Sequence, residues 1–192
     1  MTGRRLAIGG TIAVVVVFAA AVFFAKRGLP TFGRRMASTT AAAAPAPPPP
    51  PGRKIKARLF YVAEDGMQLT SVERDVAYGD SPDDQAREIL AAQIAPAVGP
   101  LVSAIPAGTT LRAVFITKSG DAYVDLSREV RAAHIGGTVN ELLTVYTIVN
   151  ALTVNLPAVS HVQVLVDGKE VDTLSGHVDL RRPLAKNLGW VQ

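Results

Sequence analysis

The 192-residue chain has room for one folded domain with appendages, and its lack of cysteine excludes disulfides, thiolate nucleophiles and cysteine-ligated zinc. Its formal charge of +4 is an end effect. Six of the 20 basic residues (Arg4, Arg5, Lys26, Arg27, Arg34 and Arg35) and none of the 16 acidic ones fall within residues 1–52, leaving 14 basic against 16 acidic side chains beyond, a balance that argues against a nucleic-acid partner.

Leu6–Ala25 is an unbroken run of 20 uncharged, mostly apolar residues. As a helix it would span about 30 Å, the thickness of a bilayer's hydrocarbon core. Residues 1–27 are therefore expected to form an N-terminal transmembrane anchor. A cleaved signal peptide is the alternative, but its apolar region is usually about 7–15 residues long, and Lys26-Arg27 lacks a small-residue cleavage pattern. Without a cysteine to lipidate, the anchor has to be polypeptide. The flanking charges, two basic residues before the run and four after it, favour a cytoplasmic C-terminus. Residues 28–52 read as a stalk, in which Ser38-Thr39-Thr40 and four alanines lead into Pro45 and Pro47 to Pro51. Consecutive prolines enforce an extended rod reaching on the order of 75 Å, a spacer or a ligand for a proline-binding module.

Residues 53–192 are expected to fold. Ile55, Ala57, Leu59, Tyr61 and Ala63 share one face of a strand, with Lys56 and Arg58 on the other. Glu64-Asp65-Gly66 reads as a turn and Met67 to Val76 as the returning strand. Ser81-Pro82-Asp83-Asp84 opens a helix with an N-cap serine, proline at the first position and acids facing the dipole, and Pro96 stops it. After a Pro/Gly-rich loop over 96–110, Leu111 to Ile116 and Ala122 to Leu126 predict a hairpin. Thr138-x-x-Glu141 matches a capping box opening a second helix. Its buried stripe is read as Leu142, Val145, Tyr146, Val149 and Leu152, and its polar stripe as Asn140, Thr144 and Thr147. Val162, Val164 and Val166 then alternate into Asp167-Gly168, which suits a two-residue hairpin with Lys169 to Leu174 returning. The order predicts an α+β fold: a mixed, mostly antiparallel sheet of hairpins with two helices packed on one face.

Several strings occur in an order that resembles the GerMN domain, the sporulation and spore-germination domain of bacterial envelope proteins. They are Ile105-Pro106-Ala107-Gly108-Thr109, Ala122-Tyr123-Val124-Asp125-Leu126-Ser127, the run Glu141 to Asn150, and Val162 through Asp167-Gly168-Lys169 to Leu174-Ser175-Gly176-His177. The resemblance covers about Ile55 to Leu184, in a single copy. It implies a membrane-held domain outside the cytoplasm, and on that ground the domain is expected there despite the flanking charges.

Among possible sites, His134, His161 and His177 have no metal-ligand spacing, and neither metal nor cofactor is expected. His177 and Asp179 alternate on one segment and could form a proton-transfer pair; alternatively the His177 ring fastens that loop. Asp125, Ser127 and His177 could be imagined as a triad, but no nucleophile elbow is present, and Asp125 and Ser127 also suit backbone bonds at a strand end. Asn150, within the second helix, is expected to satisfy backbone groups of a loop. Gly136-Gly137 could cradle an anion at a helix start, with Glu141 competing for the same donors. The stripe Asn140, Thr144 and Thr147 is either a contact surface or a solvated helix face. No catalytic residue is assigned. The expected function is a non-enzymatic cell-envelope binding or assembly module acting through an envelope protein partner or self-association. A peptidoglycan-binding module is the alternative, and a wall hydrolase using His177 is a third reading.

Overall fold

The computed structural model describes residues 52–192. The expected anchor helix Leu6–Ala25 and the expected stalk up to residue 51 lie outside the described residues. Among those described, no helix is long and apolar enough to cross a membrane.

Strands β1 (Lys54–Val62) and β2 (Leu69–Ala77) form an antiparallel hairpin in register from Lys54↔Ala77 to Val62↔Leu69. The expected turn is closed by Asp65, whose Oδ1 accepts from the N–H groups of Met67 and Gln68 at 2.9 and 3.3 Å. Alternation along β1 buries Ala57, Leu59 and Tyr61, as the period of two requires. Phe60, on the opposite face, is also fully buried, so the second half of the strand is covered on both sides.

The outer edge of β1 has no partner strand, and buried backbone groups there need partners. They come from side chains and one loop residue. Gln93 accepts from Phe60 N–H with Oε1 and donates to the Phe60 carbonyl with Nε2, both at 2.8 Å. Asn155 does the same for Arg58, again at 2.8 Å for each bond. Val62 N–H completes the row by donating to the Val102 carbonyl at 2.8 Å.

Gln93 belongs to α1 (Pro82–Ile94), which starts as its sequence dictates. Ser81 Oγ accepts from Asp84 N–H at 3.1 Å, Pro82 occupies the first turn, and the helix ends at Ala95 before Pro96. Asn155 is the last residue of α3 (Thr138–Asn155), which follows a four-residue helix α2 (Glu129–Ala132) that the sequence reading did not anticipate.

The second sheet has the order β3 (Leu111–Ile116), β4 (Asp121–Leu126), β5 (His161–Val166), β6 (Lys169–Glu170), with β7 (Leu184–Ala185) also pairing with β5. All pairs are antiparallel except β4–β5, which the α2–α3 crossover makes parallel. Asp167 and Gly168 both take positive φ (50° and 76°), the geometry a two-residue hairpin needs. The returning strand is only Lys169–Glu170, shorter than the expected run to Leu174. The class is α+β, mostly antiparallel with one parallel pair, and the strands divide between two sheets.

Helix α3 packs against β1, β5 and α1, and it is buried almost all round. The expected one-sided stripe therefore needs correction: Leu142 and Tyr146 are only half-buried, whereas Thr144 and Thr147 are 1% and 0% exposed. From inside the core, Asn150 donates to the Asn187 carbonyl (2.8 Å) and accepts from Asn187 N–H (3.0 Å), holding the C-terminal segment. Gln192 N–H then donates to the Leu69 carbonyl at 2.9 Å.

Replacing Gln93 with alanine leaves two buried backbone groups of Phe60 unpaired. Urea unfolding of the soluble fragment 49–192 is expected to show a loss of about 2–4 kcal/mol. Asn155→Ala, at an edge where Arg58 is exposed, is expected to lose about 1 kcal/mol or less. Equal losses would mean that edge closure is not what Gln93 contributes.

Candidate functional site

The candidate triad is not assembled. Asp125 sits on β4, where Oδ1 accepts from Gly168 N–H at 2.7 Å and Oδ2 pairs with Arg112 Nε at 3.0 Å. Ser127, just past the strand, exchanges bonds with Thr110: its Oγ accepts from Thr110 N–H and its N–H donates to the Thr110 carbonyl, both at 3.0 Å. Neither residue hydrogen-bonds His177. Nor does His177 pair with Asp179, which is held by Arg181 at 2.7 Å, an ion pair that keeps its carboxyl below the usual range.

His177 is bound to Glu141, and this overturns the capping-box reading. The N-cap of α3 is Gly137, at φ 87°, with no side-chain cap; Thr138 is already helical. Glu141 turns away from the helix start and is fully buried. Its Oε1 accepts from the N–H groups of Leu174 (2.7 Å) and Ser175 (2.9 Å). Its Oε2 takes Ser175 Oγ (2.9 Å), His177 N–H (2.8 Å) and the His177 ring Nδ1 (3.1 Å). Burial pushes this carboxyl up, but the donors of Ser175, His177 and Leu174 outweigh it and hold the value at about 2. The arrangement fixes the 174–177 loop to α3.

Asn140 and Thr144 meet a different feature. A groove of about 940 Å³ opens between the 95–110 loop, the 133–135 segment and the first turns of α3. Asn140 Nδ2 donates to the Gly136 carbonyl at 2.8 Å, while Thr144 Oγ1 donates to the Ala104 carbonyl at 2.6 Å. Thr147 does not line it. Buried, and without a hydrogen-bond partner for its hydroxyl, Thr147 cannot serve as a contact residue in the folded domain.

His134, read from the sequence only as a histidine without metal-ligand spacing, joins three walls of the groove. Gly136 N–H donates to its Nδ1 at 3.0 Å, so the other nitrogen carries the proton and bonds Thr144 Oγ1 at 3.2 Å. Burial lowers the pKa of this ring from the ordinary 6.5 against a weaker upward pull from Glu141, which favours the neutral form that the relay needs. The Gly136 N–H thus spent on His134 is not free for an anion.

The groove lining has no Asp, Glu, Lys or Arg and no Phe, Tyr or Trp. Val102 and Ile135 line it while 58% and 85% exposed. A sequence signal exists for this wall: from Ile89 to Leu111 not one charged residue occurs. Beyond the helix, its part over 96–110 reads as a loop, and its apolar content is then easily discounted. Among the described residues no cluster of His, Asp or Glu suits a metal ion.

The model of the Germane family, described as sporulation and spore germination, matches residues 58–172. Among solved structures, the tandem GerMN domains of the sporulation protein GerM from Bacillus subtilis are similar at TM-score 0.51 and 18% identity, over 71% of this chain and 46% of that one. The first GerMN domain of the same protein is similar at TM-score 0.49 and 19% identity, over 68% of this chain and 97% of that one. A Clostridium perfringens protein described as a lipoprotein is similar at TM-score 0.49 and 24% identity, over 69% and 88% respectively. No curated protein matches the chain.

The Glu141 clamp gives a signed pH dependence. Its folded value lies below the ordinary 4.5, so the stability it contributes is complete above about pH 4.5 and is lost as pH falls towards about 2. Glu141→Gln puts an amide donor against the loop's own donors and is expected to lose on the order of 2–4 kcal/mol at pH 7. Denaturant titrations from pH 7 to 2.5 should show the acid sensitivity of the parent flattened in the variant; an unchanged slope would remove Glu141 as its source.

Proposed function

Because this chain belongs to the Germane family of sporulation and spore-germination domains, we propose that it is an extracytoplasmic, non-enzymatic binding module that helps to hold a cell-envelope assembly together through protein–protein contact. The carrying observation is the neutral apolar groove with Val102 and Ile135 exposed on its walls. Contiguous exposed apolar surface marks an interaction site more often than solvent-facing chance. Catalysis has less support, since Asp125, Ser127 and His177 are each committed to separate structural bonds. A glycan ligand is also less well supported, because the lining carries no Phe, Tyr or Trp on which a sugar could stack.

Location is part of the proposal. In this reading Leu6–Ala25 is a single-pass anchor standing in for a lipidated cysteine, and residues 28–52 hold the domain away from the bilayer. The chain enters the domain at Arg53, ahead of β1, and the groove lies where that strand ends at Val62, about 26–30 Å further on. The groove thus sits at the end of β1 remote from the chain's point of entry.

Two experiments test these parts separately. Protease added to intact spheroplasts is expected to digest the domain while a cytoplasmic control survives; protection until lysis would place the domain inside and refute the location. For the second, full-length protein is purified from its own membranes in mild detergent. Val102→Asp with Ile135→Asp is expected to lower recovery of a co-purifying envelope protein roughly tenfold or more without lowering the melting temperature of the domain. Undiminished recovery would exclude the groove as the contact.

A further inference from the structure

We propose that the groove receives the apolar face of an α-helix of the partner protein. This rests on the reading of the groove as a protein-binding surface and adds what the partner must present there.

Charge comes first. The lining contains no carboxylate, ammonium or guanidinium, and its histidine is engaged at both nitrogens by Gly136 and Thr144. A charged segment would lose hydration on entering and find no counter-charge, so the matching surface is uncharged. Hydrogen bonding comes second. Four polar side chains of the wall are bonded within it: Ser103 Oγ accepts from Ile105 N–H, Thr109 Oγ1 donates to the Pro106 carbonyl, Thr144 Oγ1 to the Ala104 carbonyl and Asn140 Nδ2 to the Gly136 carbonyl. Among the described residues, the two buried polar side-chain atoms without partners, Arg74 Nε and Thr147 Oγ1, belong to residues outside the lining.

An extended peptide gains its affinity by pairing backbone groups with an open strand edge. The strand that reaches the groove, β1, has that edge closed at Arg58, Phe60 and Val62 by Asn155, Gln93 and Val102. A helix satisfies its own backbone and offers side chains alone, which is what this surface can accept. A single aliphatic chain would also need no hydrogen bonds, but it would leave the surroundings uncovered. Of the seven large apolar side chains exposed among the described residues, Val102 and Ile135 line the groove, Val98 lies on the same loop and Met67 follows the lining residue Gly66. That spread suits a macromolecular face.

The test places a photo-crosslinking benzoylphenylalanine at Val98, Val102 or Ile135, one at a time, in the full-length chain in cells. After irradiation, the attachment points on the captured molecule are mapped by mass spectrometry. The expected result is one envelope protein whose attached residues fall three, four or seven apart, the spacing of a single helix face. Attached residues spaced by two, any other spacing, a lipid adduct or attachment to a second copy of this chain would each overturn the helix proposal while leaving the groove in use. Absence of any adduct from all three positions would overturn the binding reading itself, and the helix proposal with it.

Discussion

Everything in this domain has to accommodate a strand with one partner and two edges. The outer side of β1 runs from an exposed position at Arg58 to a fully buried one at Phe60, and among the described residues no further strand arrives to meet it. Two carboxamides and one loop carbonyl do so instead, through Gln93, Asn155 and Val102. Each of those bonds fixes a larger piece. Gln93 sets the end of α1, Asn155 sets the end of α3, and Val102 seats the loop that becomes a groove wall. An amide side chain suits this work because it carries a donor and an acceptor side by side, the same pair that a neighbouring strand would present.

Helix α3 extends that logic. Its polar residues are recruited inward as braces, each tying a distant segment to the helix. Glu141 holds 174–177, Thr144 holds the 95–110 loop at Ala104, and Asn150 holds the C-terminal stretch at Asn187. Each brace is a fully made hydrogen bond in a place where an unmade one would be costly, so each specifies where its segment must lie. Bound on several sides, α3 leaves only a narrow solvent edge, where Thr138 is exposed and Leu142 and Tyr146 are half-buried. The groove opens on the loop side.

Local signals were legible because they act over a few residues. Ser81-Pro82 started a helix, Asp167-Gly168 made a tight turn, and the alternation of Val162, Val164 and Val166 marked a strand. What remained hidden depended on partners far along the chain. The Gln93–Phe60 pair spans 33 positions and the Asn155–Arg58 pair 97, and nothing near either amide advertises its target. The motif Thr138-x-x-Glu141 had the composition of a cap, yet a loop 33 to 36 residues later offered Glu141 more donors than its own helix start could. Polar periodicity on α3 was likewise read as exposure because a helix pattern assumes one dry face and one wet one. The place of His134 in the groove stayed hidden for the opposite reason: it comes from three walls meeting around the ring, and its sequence neighbours Ala133 and Ile135 say nothing of that.

The position of the groove along β1 also has a mechanical meaning. A pull exerted by a molecule seated near Val62 and resisted at Arg53 would run along the axis of the hairpin. The ladder between β1 and β2 lies across that axis, with the side-chain braces on the other edge. A load passing from the groove walls into β1 would be shared by the bonds along that other edge, from Asn155, Gln93 and Val102, strained in shear together and not peeled open one after another. The strand is thus oriented along the line from the point where the chain enters the domain to the groove.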